Sequence, residues 1–141
     1  MRIPKFIVAA AATVALGTTG ALAAPALAST QCHTLNFTVV NTGSVSPTEF
    51  TRAGQGTVLN SEGNTVGFDV IYETLTAKVF TANAAFSYTG GLFYATISSS
   101  DGGETFSGRV TGGTGAFDGA TGTVTSKTIS STESAVTIIY R

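Results

Sequence analysis

The chain has 141 residues, seven Lys and Arg against eight Asp and Glu for a net charge of −1, one histidine and one cysteine. That balance supplies no basic surface for nucleic acid or an anionic membrane, and the lone Cys32 excludes an internal disulfide. A single histidine, His33, leaves a Ser-His-Asp triad only one place to form, and one Cys, one His and scattered carboxylates do not make a metal site.

Arg2 and Lys5 precede an apolar stretch from Phe6 to Ala23, and Ala26-Leu27-Ala28 then supplies the small-x-small pattern of a signal-peptidase site. Residues 1–28 are therefore expected to be a signal peptide cut before Ser29, with Ala21-Leu22-Ala23 as the second choice. Gly17 to Gly20 interrupts the apolar core and no cationic stop-transfer residues follow, so export without a membrane anchor is expected. Residues 29–141 then form a single secreted domain with five basic and eight acidic side chains. Cys32 lies close to its start and reads as a passive thiol.

Beyond the leader the alternation is that of strands. Leu35, Phe37 and Val39 share one face of a strand that ends near Asn41, and Thr42 to Gln55, holding Gly43, Pro47 and Gly54, reads as a loop or irregular edge. Gly56 to Asn60 is a short strand, and Ser61 to Asn64 is turn chemistry. Thr65 to Thr76 carries Val66, Phe68, Val70 and Tyr72 on one face and Asp69, Ile71, Glu73 and Leu75 on the other, so both faces need apolar cover. Ala77 to Ala85 has helix-favouring residues, but Val79, Phe80 and Thr81 make it a strand. Strands follow at Leu92 to Ser99, Glu104 to Thr111, Gly122 to Thr128 and Ser134 to Tyr140, with Asp101-Gly102-Gly103 as a hairpin turn. The pattern predicts an all-β fold, a closed antiparallel barrel or a sandwich.

Thr111 to Gly122 reads TGGTGAFDGATG, with Gly112, Gly113, Gly115, Gly119 and Gly122 around Phe117. It lacks the lysine and helix of a phosphate loop and the spacing of a calcium nonapeptide. The longer segment VTGGTGAFDGATGTV, Val110 to Val124, resembles the hallmark of the allene oxide cyclase and dirigent barrel proteins. Gly63 to Val70 resembles the cyclase pattern Gly-x-x-x-Gly-x-Cys-Val, and Ser46-Pro47 a Ser-Pro pair after the cyclase's first strand. The resemblance implies an eight-stranded antiparallel β-barrel with an apolar lumen, assembled as a trimer or dimer through its outer wall. Gly112 and Gly113 are expected to bend one strand into the next, with Phe117 packed on backbone left bare by Gly119 and Gly122.

The same resemblance sets Thr38 where the cyclase has a first-strand glutamate and Asp69 where it has cysteine. It implies a secreted barrel that binds a small apolar molecule and acts, without a cofactor, as a cyclase, isomerase or stereochemistry-directing protein on a substrate other than the cyclase's own. The alternative is a carrier or surface interaction protein with no catalysis. Asp69 is the candidate catalytic residue and Phe37, Ile71, Glu73 and Tyr94 the candidate ligand-binding ones. If Asp69 and Glu73 face inward, desolvation and mutual repulsion raise a pKa and create an acid/base group. An outward face, with both carboxylates hydrated and paired with Arg109 or Lys127, is the cheaper arrangement on the residues alone.

Overall fold

Period-two alternation of apolar and polar side chains needs a surface with one dry face, and a sheet closed on itself gives every strand that face without an open edge. A computed structural model, describing residues 31–76 and 78–141, shows this closure. Its strands are β1 (His33–Thr48), β2 (Thr51–Leu59), β3 (Thr65–Thr76), β4 (Val79–Tyr88), β5 (Gly91–Ser99), β6 (Thr105–Gly115), β7 (Gly122–Thr128) and β8 (Glu133–Tyr140). Each pairs antiparallel with its sequence neighbour, and β8 returns to β1. The expected eight-stranded antiparallel barrel is therefore the fold. The expected signal peptide, residues 1–28, lies outside the described residues.

The segment expected as a loop, Thr42 to Gln55, is instead the far half of β1 and the near half of β2. Its alternation is hidden because register shifts occur between Asn41 and Gly43 and between Val45 and Thr48, and each such bulge flips which side chains face inward. Asn41 Oδ1 accepts from the Gly43 amide at 3.0 Å at the first bulge. Pro47, which has no N–H to donate, lies within the second. Thr48 Oγ1 accepts from the Phe50 amide and pairs with Thr51 Oγ1 at 2.8 Å, which closes the turn.

The barrel's two ends differ. The base carries the turns at 60–64, 89–90 and 116–121, and the strand ends above them are filled by rings. Phe93 stacks on Phe117 with centroids 3.9 Å apart, and both meet Tyr140 edge-on at 5.0 and 5.6 Å. Phe37 packs against Phe86 and Tyr88 one layer higher. Val58 and Ile138 are fully buried among them. The other end, bounded by the turns at 49–50, 100–104 and 129–132, sets polar groups such as Arg52, Glu73, Ser126 and Glu133 beside Phe80 and Phe106 and stays open.

The glycine segment builds the base. Gly113 lies where an added Cβ would collide with the Leu92 and Phe117 carbonyl oxygens, and Gly115 and Gly119 adopt φ of 62° and 72°, open to glycine at no steric cost. Gly112 and Gly113 do not turn the chain, because β6 runs on to Gly115 and the reversal falls at 116–119. Phe117 presses on Gly91 and Gly113 rather than on Gly119 and Gly122; Gly122 instead clears the Ile139 carbonyl of β8. The segment thus shapes the floor of the barrel and takes no part in its opening.

Candidate functional site

Between the aromatic base and the open end lies a cavity of about 290 Å³. Val39, Ile71, Phe80, Phe86, Ile97, Phe106 and Val136 give it apolar walls, and Asn41, Ser126 and Ser134 add uncharged polar atoms. Its opening runs past Gly102, Gly103 and the 128–133 turn, which is tied down by Thr128 Oγ1 donating to the Gly103 carbonyl at 3.0 Å and by the Asn41 amide donating to the Thr132 carbonyl at 2.7 Å.

Two carboxylates of β3 face this cavity. Asp69 and Glu73 are only 5% and 7% exposed, which corrects the cheaper expectation of an outward, hydrated face. Arg109 and Lys127 are exposed, and neither pairs with them. The partner of Glu73 is Arg52, directly opposite on β2, with Nε 3.0 Å from Glu73 Oε2 and Nη2 3.4 Å from Oε1. That forked contact compensates the buried charge near the mouth.

Asp69 has no such compensation. It sits deeper, between Gly56 of β2 and Phe86 of β4 in register, and its Oδ1 is buried without a hydrogen-bond partner among the described residues. Desolvation pushes its pKa up to about 6, against an opposing backbone hydrogen bond. Repulsion by Glu73 is not the cause. Four residues along a strand separate the two Cα atoms by about 13 Å, and Arg52 balances the Glu73 charge. The arrangement offers one carboxyl able to gain or lose a proton near neutrality, in the wall of a chamber of mixed apolar and polar lining.

Of the candidate ligand-binding residues, Ile71 and Glu73 line the cavity. Phe37 faces inward but belongs to the ring layer below it. Tyr94 does not reach the lumen: it lies between buried Phe93 and Ala95, so alternation turns it outward, 40% exposed, onto an outer groove shared with Val70 and Tyr72. Thr38, at the place of the cyclase glutamate, also alternates outward between Phe37 and Val39. Sequence reading missed Arg52, Gly56 and Phe106. Arg52 and its pairing were concealed in the segment taken for a loop, and a glycine such as Gly56 shows no face.

No protein-family model matches the sequence, and no curated protein matches it. Among solved structures the chain is similar to a pyocyanin demethylase, with 16% identity, a TM-score of 0.66, and coverage of 77% of this chain and 100% of that one. It is also similar to the pterocarpan synthase dirigent protein GePTS1, with 19% identity and a TM-score of 0.65, over 92% of this chain and 98% of that one. The Diels-Alderase AbmU from Streptomyces koyangensis gives 8% identity and a TM-score of 0.58, over 82% and 70% of the two chains. At these identities the likeness is one of fold. The chain is a closed eight-stranded antiparallel barrel of the fold class that includes dirigent and cyclase barrels.

Proposed function

We propose that this is a secreted barrel that takes one small, mainly apolar molecule through its open end, and that Asp69 exchanges a proton with it in a cyclisation or isomerisation needing no cofactor. The observation that carries the reading is the buried carboxyl of Asp69, whose Oδ1 has no hydrogen-bond partner among the described residues, in the wall of the cavity beside Phe86 and Phe106. A buried carboxyl of this kind destabilises the fold, and a ligand with a proton to share relieves it. Holding a flexible chain against ring walls would supply the rest, by restricting it to reactive conformers away from water. The reading is supported by the fold neighbours, a pyocyanin demethylase, a pterocarpan synthase dirigent protein and a Diels-Alderase, which are similar to this chain in fold.

Proton abstraction from 5-nitrobenzisoxazole, a small uncharged aromatic whose ring opens when a base removes its C–H proton, tests the acid/base role. The expected result is a saturable rate with an inflection near pH 6 that disappears in Asp69→Asn. Binding of a neutral naphthyl probe with no such rate supports the second reading, a carrier, which the apolar side chains of Val39, Phe80, Ile97 and Val136 in the lining favour.

The same reading assigns the outer wall to self-association as a dimer or trimer. Phe68, Val70 and Tyr72 of β3 and Tyr94 of β5 are each 40–54% exposed, and no charged residue occupies the outward positions of β2 to β5.

A further inference from the structure

The charges around the cavity are unequal. Its lining includes three acidic side chains, Asp69, Glu73 and Glu133, and one basic side chain, Arg52. Arg52 is already committed to Glu73 through two of its nitrogens, with the Glu73 side chain 9% exposed behind it. The groups facing Asp69 from the neighbouring elements are Gly56 on β2 and Phe86 on β4, and neither can neutralise it. Among the described residues the Asp69 carboxyl is therefore the ionisable group deep in the lining that no other side chain matches, with aromatic rings of Phe80, Phe86 and Phe106 around the same space.

Carboxylate and ring faces share a preference. Both attract a cation, the first by charge and hydrogen bonding and the second through the negative face of the π system. An anion would meet the opposite field, and a neutral hydrocarbon would leave Oδ1 unsatisfied.

Resting on the lumenal binding site proposed above, we infer that the pocket selects a molecule with a ring or hydrocarbon body and a protonated nitrogen, an apolar amine or N-heterocyclic cation, whose N–H donates to Asp69 while its body lies against Phe86 and Phe106. Because Asp69 titrates near neutrality, the pairing strengthens as the carboxyl ionises.

Three probes with one skeleton test this by calorimetry on the intact protein: 2-naphthylmethylamine, 2-naphthylmethanol and 2-naphthoate. The amine is expected to bind about tenfold or more tightly than the alcohol at pH 7.5, and the naphthoate weakest. Between pH 5 and 7.5 the affinity for the amine should rise about tenfold, following ionisation of a carboxyl with pKa near 6, with little change for the alcohol. In Asp69→Asn the amine should fall to the level of the alcohol, whose own affinity holds. Equal binding of amine and alcohol in the native protein overturns the cation preference but leaves the lumenal site standing. Tightest binding of the naphthoate overturns it as well, and assigns recognition to the remaining donors of Arg52. Failure of all three to bind overturns the lumenal site and the inference together.

Discussion

Gly56 and Asp69 face each other across β2 and β3, and the Asp69 carboxyl occupies the space in which any side chain at position 56 would begin. A Cβ at Gly56 would also lie 2.7 Å from the Val40 carbonyl oxygen and 2.9 Å from Val39 Cγ1. Gly56→Ala is therefore expected to cost about 1–3 kcal/mol, the range for overpacking a filled core. Urea unfolding checks it, and adding Asp69→Ala should recover part of the loss by removing the nearest atom. Unchanged stability in Gly56→Ala would show that the carboxyl does not rest on that backbone.

This pair also shows what the sequence made legible. The period-two pattern of Thr65 to Thr76 announced a strand with two apolar faces, and the glycine segment announced a barrel, because both signals are local. Which face of β3 points inward is a property of closure. It depends on the bulges in β1, which no alternation in Thr42 to Gln55 reveals, and on Gly56 making room for Asp69. The ion pair of Arg52 with Glu73 spans 21 positions of sequence and follows only once β2 is known to extend back to Thr51.

The raised pKa of Asp69 has a definite consequence for stability. Its ordinary value is 3.8 and its folded value about 6, so between those pH values the folded protein holds a proton that the unfolded chain releases. The group's contribution is most favourable below pH 3.8, declines as pH rises through 6, and is lowest above it. The full difference is roughly 3 kcal/mol. Asp69→Asn, which cannot ionise, should match the native protein near pH 4 and exceed its thermal midpoint at pH 8. Equal midpoints at both pH values would mean that Asp69 is solvated.

Arg52 and Glu73 form a coupled pair. Arg52→Met strips the cation from a carboxylate that is largely buried, and a loss of about 1–3 kcal/mol is expected, moderated because the guanidinium is half in water. Glu73→Gln in that background should restore most of it. A double-mutant cycle by urea unfolding gives the coupling directly, and a value near zero would show the contact to be incidental.

Phe117 anchors the base. Its stacking on Phe93 and edge contact with Tyr140 predict a loss of about 3–5 kcal/mol for Phe117→Ala, with Phe117→Leu losing less. Since this ring lies below the cavity, Phe117→Leu should leave probe affinity within threefold while lowering the melting temperature.

The outer wall has its own test. Tyr72→Glu places a charge in the exposed apolar strip of β3, away from the lumen. Light scattering should show the native protein larger than one chain and the variant reduced to a monomer; a native monomer would remove the assigned role of that wall.

The central claim is that the lumen, rather than the outer groove beside Tyr94, is where a ligand binds. Methyl resonances report it directly, because Ile97 and Val136 line the cavity and not the groove, whereas Val70 lies on the outer groove and Ile139 is exposed elsewhere. Titration with 2-naphthylmethylamine should shift Ile97 and Val136 and leave Val70 and Ile139 in place. Shifts at Val70 with Ile97 and Val136 unmoved would contradict a lumenal site.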